Sequence, residues 1–443
     1  MALPTSTLER DARQIHADSH RDGEVDPGEI AVGVVIGRAS EFFDFFVYAI
    51  ASVVVFPKLI FPFVDPLTGT LYSFAIFALA FIARPFGTAL FMAVDRRYGR
   101  SAKLTIALFL LGTSTVAIAF LPSYETLGTL VIWLLAAFRV GQGLAWGGTW
   151  DGLAPLLAIN APEQRRGFYA ALPQLGAPIG LVVASALFAY FLGNLSAEDF
   201  FSWGWRYPFF VAFAINVVAL FARLRMAVTP DYVELFKRGD LQPARVTDTI
   251  RAEGKGILVG AFAPLATFAL FHMVTVFPLS WVFLFTKEGP THFLIIEALA
   301  AICGLIAVFV SGMIADRIGR RNLLGGSAAA IAVFSGFAPQ LLSGGFVGES
   351  IFMILAFILL GISFGQSSGV VASNFAPKYR YTASALTNDF AWLFGAGFAP
   401  LAALLLASNF GLLAAGAYLL SGAICTLLAL RFNKRIEMAT SGD

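Results

Sequence analysis

Long apolar runs alternate with short polar breaks along the whole chain. A helix needs about 20 apolar residues to cross the hydrocarbon of a bilayer. Windows of that length pick out segments near 30–57, 70–91, 102–121, 127–158, 168–192 and 205–226. A polar stretch from Ala227 to Lys255 follows, with Asp231, Glu234, Lys237, Arg238, Asp240, Arg245, Asp248, Arg251 and Glu253. Six more apolar segments lie near 256–286, 292–314, 322–343, 348–372, 382–406 and 410–432. The pattern predicts an all-α membrane protein with 12 transmembrane helices in two six-helix bundles, 30–226 and 256–432, joined by a central loop over 227–255. Polar tails cover 1–29 and 433–443.

Composition supports this reading and excludes others. Of 443 residues, 58% are hydrophobic and 13% charged, and mean hydropathy is +0.78. A soluble domain burying twelve such helices would need far more charge on its surface. The net charge of +2 argues against a nucleic-acid partner. Cys303 and Cys425 fall in apolar segments and suggest neither a disulfide framework nor a metal site. The first 29 residues lack the apolar core of a signal peptide, so they read as a tail of the mature chain.

Charge sets the topology. Placing both tails and every second loop on one side collects 24 of the 30 Lys and Arg there; Lys58, Arg206 and Lys287 lie opposite, and Arg38, Arg84 and Arg139 fall within segments. The positive-inside rule then puts both termini in the cytoplasm of a cell inner membrane. No nucleophile with its base, no metal-spaced His/Cys cluster and no phosphate-cradling loop occurs, which argues against an enzyme and against an ATP-driven pump.

A repeat divides the chain. DRRYGR at Asp95 to Arg100 returns as DRIGRR at Asp316 to Arg321, 221 positions later, and APEQRRG at Ala161 echoes in APKYRYT at Ala376. Parallel repeats of this kind imply secondary transport, with a midplane site between the two bundles.

These residues carry a resemblance to the major facilitator superfamily over nearly the whole chain. Gly312, Asp316, Arg317, Gly319, Arg320 and Arg321 match its loop signature fully, whereas the first copy keeps Asp95, Arg96, Gly99 and Arg100 but has Phe91 for the leading Gly. FRVGQGLAWGG matches its Arg-x-x-Gln-Gly pattern at Arg139, Gln142 and Gly143. Finer features resemble the metabolite:H+ symporter branch, which carries organic acids, betaines and similar metabolites. They are the acidic, aromatic first helix with Glu41, Asp44 and Tyr48, FYAALPQLGAPIG from Phe168 to Gly180, RYTAS from Arg380 to Ser384, and Thr229-Pro230. Two departures stand out: Gly147-Gly148-Thr149-Trp150-Asp151 where such relatives show Gly-Gly-Glu-Trp-Gly, and Ile159 where a Glu commonly precedes Asn-Ala-Pro.

Candidate site residues follow from physics and from the resemblance together. An ionised carboxylate in hydrocarbon costs on the order of 3 kcal/mol, so an intramembrane acid faces protein or water. Glu41, Asp44 and Tyr48 lie within roughly 60° of one another on a helix and should share a cavity-facing surface. Desolvation favours the neutral form of an acid and a nearby guanidinium the charged form, so an acid with a movable arginine partner makes a proton site. Arg139 is the expected partner; the resemblance favours Asp44 over Glu41 as the carrier, since sugar-porter relatives pair a first-helix Asp with a fourth-helix Arg. A permanent structural ion pair is the competing reading. Arg38, a turn before Glu41, is read as its neutraliser.

Arg84 has the planar fork that grips a carboxylate, although pairing with an acid would serve it equally. His272, Gln366, Asn388, Asp389 and Trp392 are candidates in the second half, and Tyr72, Gln142, Trp146 and Gln174 are candidate cavity lining beside Tyr48. Asp95, Arg96, Arg100, Asp316, Arg317 and Arg320 are expected to lock the cytoplasmic side, the aspartates accepting from arginines or from a helix N-terminus. The sequence therefore predicts a monomeric importer of a small organic anion, coupled to protons and needing no other cofactor. A proton-coupled exporter and a transport-inactive sensor are the alternatives.

Overall fold

The computed structural model describes residues 27–149, 157, 161–227, 242–367 and 375–432. Trp150, Asp151, Ile159, Thr229 and Pro230 lie outside the described residues. No strand occurs among those described. Twelve long helices do: α1 (Pro27–Val54), α2 (Pro66–Tyr98), α3 (Arg100–Ala119), α4 (Leu130–Thr149), α5 (Arg166–Asn194), α6 (Tyr207–Ala227), α7 (Val246–Phe262, Leu265–Thr275 and Phe277–Phe285), α8 (Pro290–Ile318), α9 (Arg320–Leu342), α10 (Gly345–Phe364), α11 (Pro377–Phe410) and α12 (Leu412–Phe432). Eleven are long and apolar enough to cross a membrane. The remaining one, α1, carries Arg38, Glu41 and Asp44 in its middle.

The turn residues explain where helices start and stop. Gly99 and Gly319, at φ +82 and +81, close α2 and α8 in equivalent places of the two signature loops, a backbone conformation that only glycine adopts without strain. Asp65 caps α2 by accepting the Thr68 amide at 3.0 Å. The polar stretch read as loop is in part helical, since α7 begins at Val246. Its charged first turns are largely exposed while Thr249 and Ile257 are buried, so one helical face already packs before the apolar run begins. Pro264 and Pro278 then divide α7 into three pieces. In α11 a π-helical turn at Trp392–Gly397 interrupts the regular ladder.

Small residues set the helix pairs. In α4, a Cβ on Gly143 would strike the Ala80 backbone of α2, and one on Gly147 would strike Thr88 and Arg84. Gly148 leaves room for the Phe91 ring, which is how this half accommodates Phe where the signature has Gly. In the second copy Gly312 is itself the contact, since its Cβ would lie 2.6 Å from the Phe168 Cα. Gly176 and Gly180 of α5 give α1 the same freedom at Arg38 and at Phe42. The first and second sets of six helices meet where α5 runs along α8, α2 along α11 and α1 against α7. The largest apolar cluster fills that seam.

Candidate functional site

A small cavity opens between α1, α2, α4 and α11. Its polar lining is Arg38, Glu41, Arg84 and Thr149; Phe42, Phe45, Phe81, Trp146 and Trp392 form the remaining walls. Helical spacing aligns Arg38, Glu41, Phe42 and Phe45 along one side of α1, and Phe81 and Arg84 along one side of α2. Arg38 Nη1 donates to Glu41 Oε2 at 2.8 Å, as the sequence suggested. Phe42 and Phe45 of α1 are thus cavity wall, which the abundance of phenylalanine in the sequence concealed.

Beyond this aromatic wall His272 is fully buried and stacked on Phe45 at 5.3 Å between ring centres, with Phe77, Phe81 and Phe271 edge-on around it. Its Nδ1 lies 3.5 Å from the Thr275 hydroxyl, and its Nε2 has no hydrogen-bond partner among the described residues.

Asp44 does not line this cavity, and it does not pair directly with Arg139. Its side chain leaves the flank of α1 toward α3 and α6, about 100° around the helix from Phe45. There Oδ1 accepts from the Thr115 hydroxyl and from Asn216 Nδ2 at 3.3 Å, while Oδ2 has no partner among the described residues. Ser40 holds Asn216 in turn, donating to Oδ1 at 3.0 Å. Arg139, also fully buried, donates through Nε to the Phe77 carbonyl at 3.2 Å and through Nη1 to Gln142 Oε1 at 2.9 Å. Its guanidinium carbon lies 4.0 Å from the centre of the Tyr48 ring, 4.8 Å from Phe77 and 4.9 Å from Trp146. Gln142 Nε2 donates to Thr115 Oγ1 at 2.9 Å, which completes a chain from the arginine to the acid. Tyr48 and Gln142, both read as ligand contacts, therefore belong to this buried network, and the Tyr48 hydroxyl has no partner among the described residues.

Other expected contacts divide between the seam and the surface. Arg84 Nε donates to Asp389 Oδ1 at 2.7 Å, and the Thr88 hydroxyl donates to Oδ2, so α2 and α11 are tied beside the cavity. Trp392, on the π-helical turn, stacks against Phe81 with 6.1 Å between ring centres. Asn388 is half-buried and Gln174 buried, with Nδ2 of the first and Oε1 of the second unpartnered among the described residues; neither lines the cavity. Tyr72 is 46% exposed and packs on Phe61. It lies five residues from Phe77, about 140° around α2, which turns it away from the inward side.

The face bearing both described ends of the chain is fastened by several bonds. Asp316 accepts the backbone N–H groups of Gly167 and Phe168 at 2.6 and 3.2 Å, an aspartate meeting the start of α5 as the dipole favours. Gln366 joins this cluster and not the cavity, accepting from Arg320 Nε at 3.1 Å and donating to the Gly167 carbonyl at 3.0 Å. Asp95 pairs with Lys103 Nζ of α3 at 3.2 Å. Lys103 and Arg100 both donate to the Tyr381 hydroxyl of α11, at 2.7 and 2.9 Å, and Arg96 Nη1 donates to the Ala244 carbonyl at 2.8 Å. Arg317 is exposed. At the opposite end of the seam Ser185 of α5 donates to Glu297 of α8 at 3.1 Å, and Glu297 is fully buried. Thr115, Asn216 and Glu297 had only one sequence signal, polarity inside an apolar run, whereas Tyr381 stood in the RYTAS run with nothing to show which partners it meets.

A family profile of the Major Facilitator Superfamily matches residues 35–400. The chain belongs to that superfamily. Among its relatives, the inner membrane metabolite transport protein YhjE of Escherichia coli is 37% identical, with 91% of this chain and 93% of the relative covered. The shikimate transporter of Escherichia coli is 27% identical, with 92% and 95% covered. The proline/betaine transporter of the same organism is also 27% identical, with 91% and 83% covered. A crystal structure of a D-xylose-proton symporter superposes with a TM-score of 0.67 at 18% identity, covering 92% of this chain and 98% of that one. The chain is thus a multi-pass membrane transporter of the Major Facilitator Superfamily, and the twelve-helix layout is that superfamily's.

Proposed function

We propose that this transporter imports a small organic anion together with protons by alternating access, with both termini in the cytoplasm and one chain as the working unit. The observation that carries the reading is the buried Asp44 carboxyl, with one oxygen unpartnered among the described residues and Arg139 reached through Gln142 and Thr115. A carboxyl without a direct counter-ion in a membrane interior has strong reason to exchange a proton. The cavity beside it offers guanidinium groups to a carboxylate: Arg84 uses only Nε for Asp389, and its fork retains further donors. The aromatic walls suit a compact apolar body. In the cycle, protonating Asp44 weakens its hold on Arg139, substrate loads against the cavity arginines, and the two bundles rock so that opposite faces open in turn.

Uptake into proteoliposomes under an inward proton gradient tests this reading, with shikimate and glycine betaine as separate probes. Concentrative uptake of shikimate in preference to glycine betaine, lost in Asp44→Asn, is the expected result. Preference for the zwitterion would overturn the anion assignment, and undiminished gradient-driven uptake in Asp44→Asn would overturn Asp44 as the proton site.

A further inference from the structure

We propose that Thr115 is a positioning residue of the proton site, whose hydroxyl relays the protonation state of Asp44 through Gln142 to Arg139. The proposal rests on Asp44 being the proton site, as read above.

Donor and acceptor chemistry fixes the direction of the chain. Arginine has only donors, so the Gln142 side chain must turn its oxygen to Arg139 Nη1, and the observed 2.9 Å contact does so. Its nitrogen is then left to face Thr115, to whose oxygen it donates at 2.9 Å. A hydroxyl that accepts there has a single proton to give, and Asp44 Oδ1 receives it. Every bond from the guanidinium to the carboxylate therefore points the same way, an arrangement in which each bond polarises the next.

The bonding of the two carboxyl oxygens places the mobile proton. Asp44 Oδ1 already accepts from Thr115 and Asn216, and Asn216 is locked in that orientation because its own oxygen accepts from Ser40. Of its two oxygens only Oδ2 lacks a partner among the described residues, so it is the oxygen that gains and loses the proton. With Oδ2 protonated, Oδ1 changes from a carboxylate oxygen to a carbonyl and accepts more weakly from Thr115. Gln142 then draws less on the guanidinium. Arg139 Nη2 has no hydrogen-bond partner among the described residues, and the guanidinium carbon lies 4.9 Å from the centre of the Trp146 ring, which walls the cavity. Movement of Arg139 is thereby felt where substrate binds.

Because Trp146 sits at the receiving end, the relay has an optical readout that needs no substrate. Tryptophan fluorescence of the purified full chain is titrated with acid, and the titration of Trp146→Phe is subtracted. The wild-type chain should show a step that Asp44→Asn lacks. Thr115→Val keeps the shape but removes the hydroxyl; it should lose about tenfold or more of the step amplitude, as expected when one charge-assisted hydrogen bond governs an equilibrium. Infrared spectroscopy should still record protonation of the Asp44 carboxyl in that variant. Thr115→Ser should restore the step. Gln142→Met, cutting the other link, should repeat the loss and decides the matter should Thr115→Val fold poorly. A full step in Thr115→Val or Gln142→Met overturns the relay and leaves Asp44 as the proton site; a step that survives Asp44→Asn overturns both.

Discussion

Removing Arg84 while leaving Asp389 should be among the more damaging single changes in the seam. The pair joins α2 to α11 at 2.7 Å, and its side chains are only 10% and 3% exposed. Arg84→Met would strand a carboxylate whose remaining donor is the Thr88 hydroxyl. Breaking a buried pair from one side costs about 3–5 kcal/mol, and the retained Thr88 bond places the expectation near the lower figure. The double variant Arg84→Met, Asp389→Leu removes the stranded charge as well and should recover all but about 1 kcal/mol. Because the pair spans the two halves, its loss also favours the conformation in which they part on this face. A bias of about 3 kcal/mol shifts that equilibrium by roughly two orders of magnitude. The assay is alkylation of Thr149→Cys, on the cavity wall, in a chain with Cys303 and Cys425 replaced by alanine, run beside denaturant unfolding of the same proteins. Equal stability and equal labelling in the single and double variants would refute the buried, charged pair and its bridging role.

The remaining expectations concern the contacts at the two ends of the seam and one residue outside it. Gly312→Ala must push α8 from the Phe168 Cα, 2.6 Å from the added Cβ, and should cost about 1–3 kcal/mol in the unfolding assay. Tyr381→Phe removes the acceptor shared by Arg100 and Lys103, whereas Ser185→Ala removes the donor to Glu297 at the other end; each should cost about 1–3 kcal/mol. In cysteine-accessibility profiles the first should expose the face bearing the chain ends and the second the opposite face, and a common direction for both would contradict their placement. Tyr72→Ala, altering an exposed ring, should leave stability within about 0.5 kcal/mol and transport unchanged.

How legible the site was depended on how local its causes are. Arg38 and Glu41 are three residues apart on one helix, so their pairing could be foreseen. The Asp316 acceptor at the start of α5 could also be anticipated, because a loop aspartate meeting a helix N-terminus is a general electrostatic preference. By contrast, Asp44 and Arg139 were expected to touch, and Gln142 with Thr115 stands between them. That outcome depends on the rotation of α3 and α4 about their axes, which no spacing within α1 can report. Gln366 moved from ligand contact to seam bond for the same reason, and Tyr72 failed on helical phase.

By itself the sequence determined that the chain spans a membrane with twelve helices in two related halves. It also determined that acids and arginines lie within apolar helices, because a run of about 20 apolar residues crosses hydrocarbon as a helix that pairs its own backbone, and each buried charge in it is conspicuous. Only the tertiary structure decided which charge meets which partner. Residues as distant in the chain as Arg84 and Asp389 come within 2.7 Å through glycine-mediated helix packing. A helix rotated by one residue, about 100°, would have put Asp44 at the cavity wall in place of Phe45.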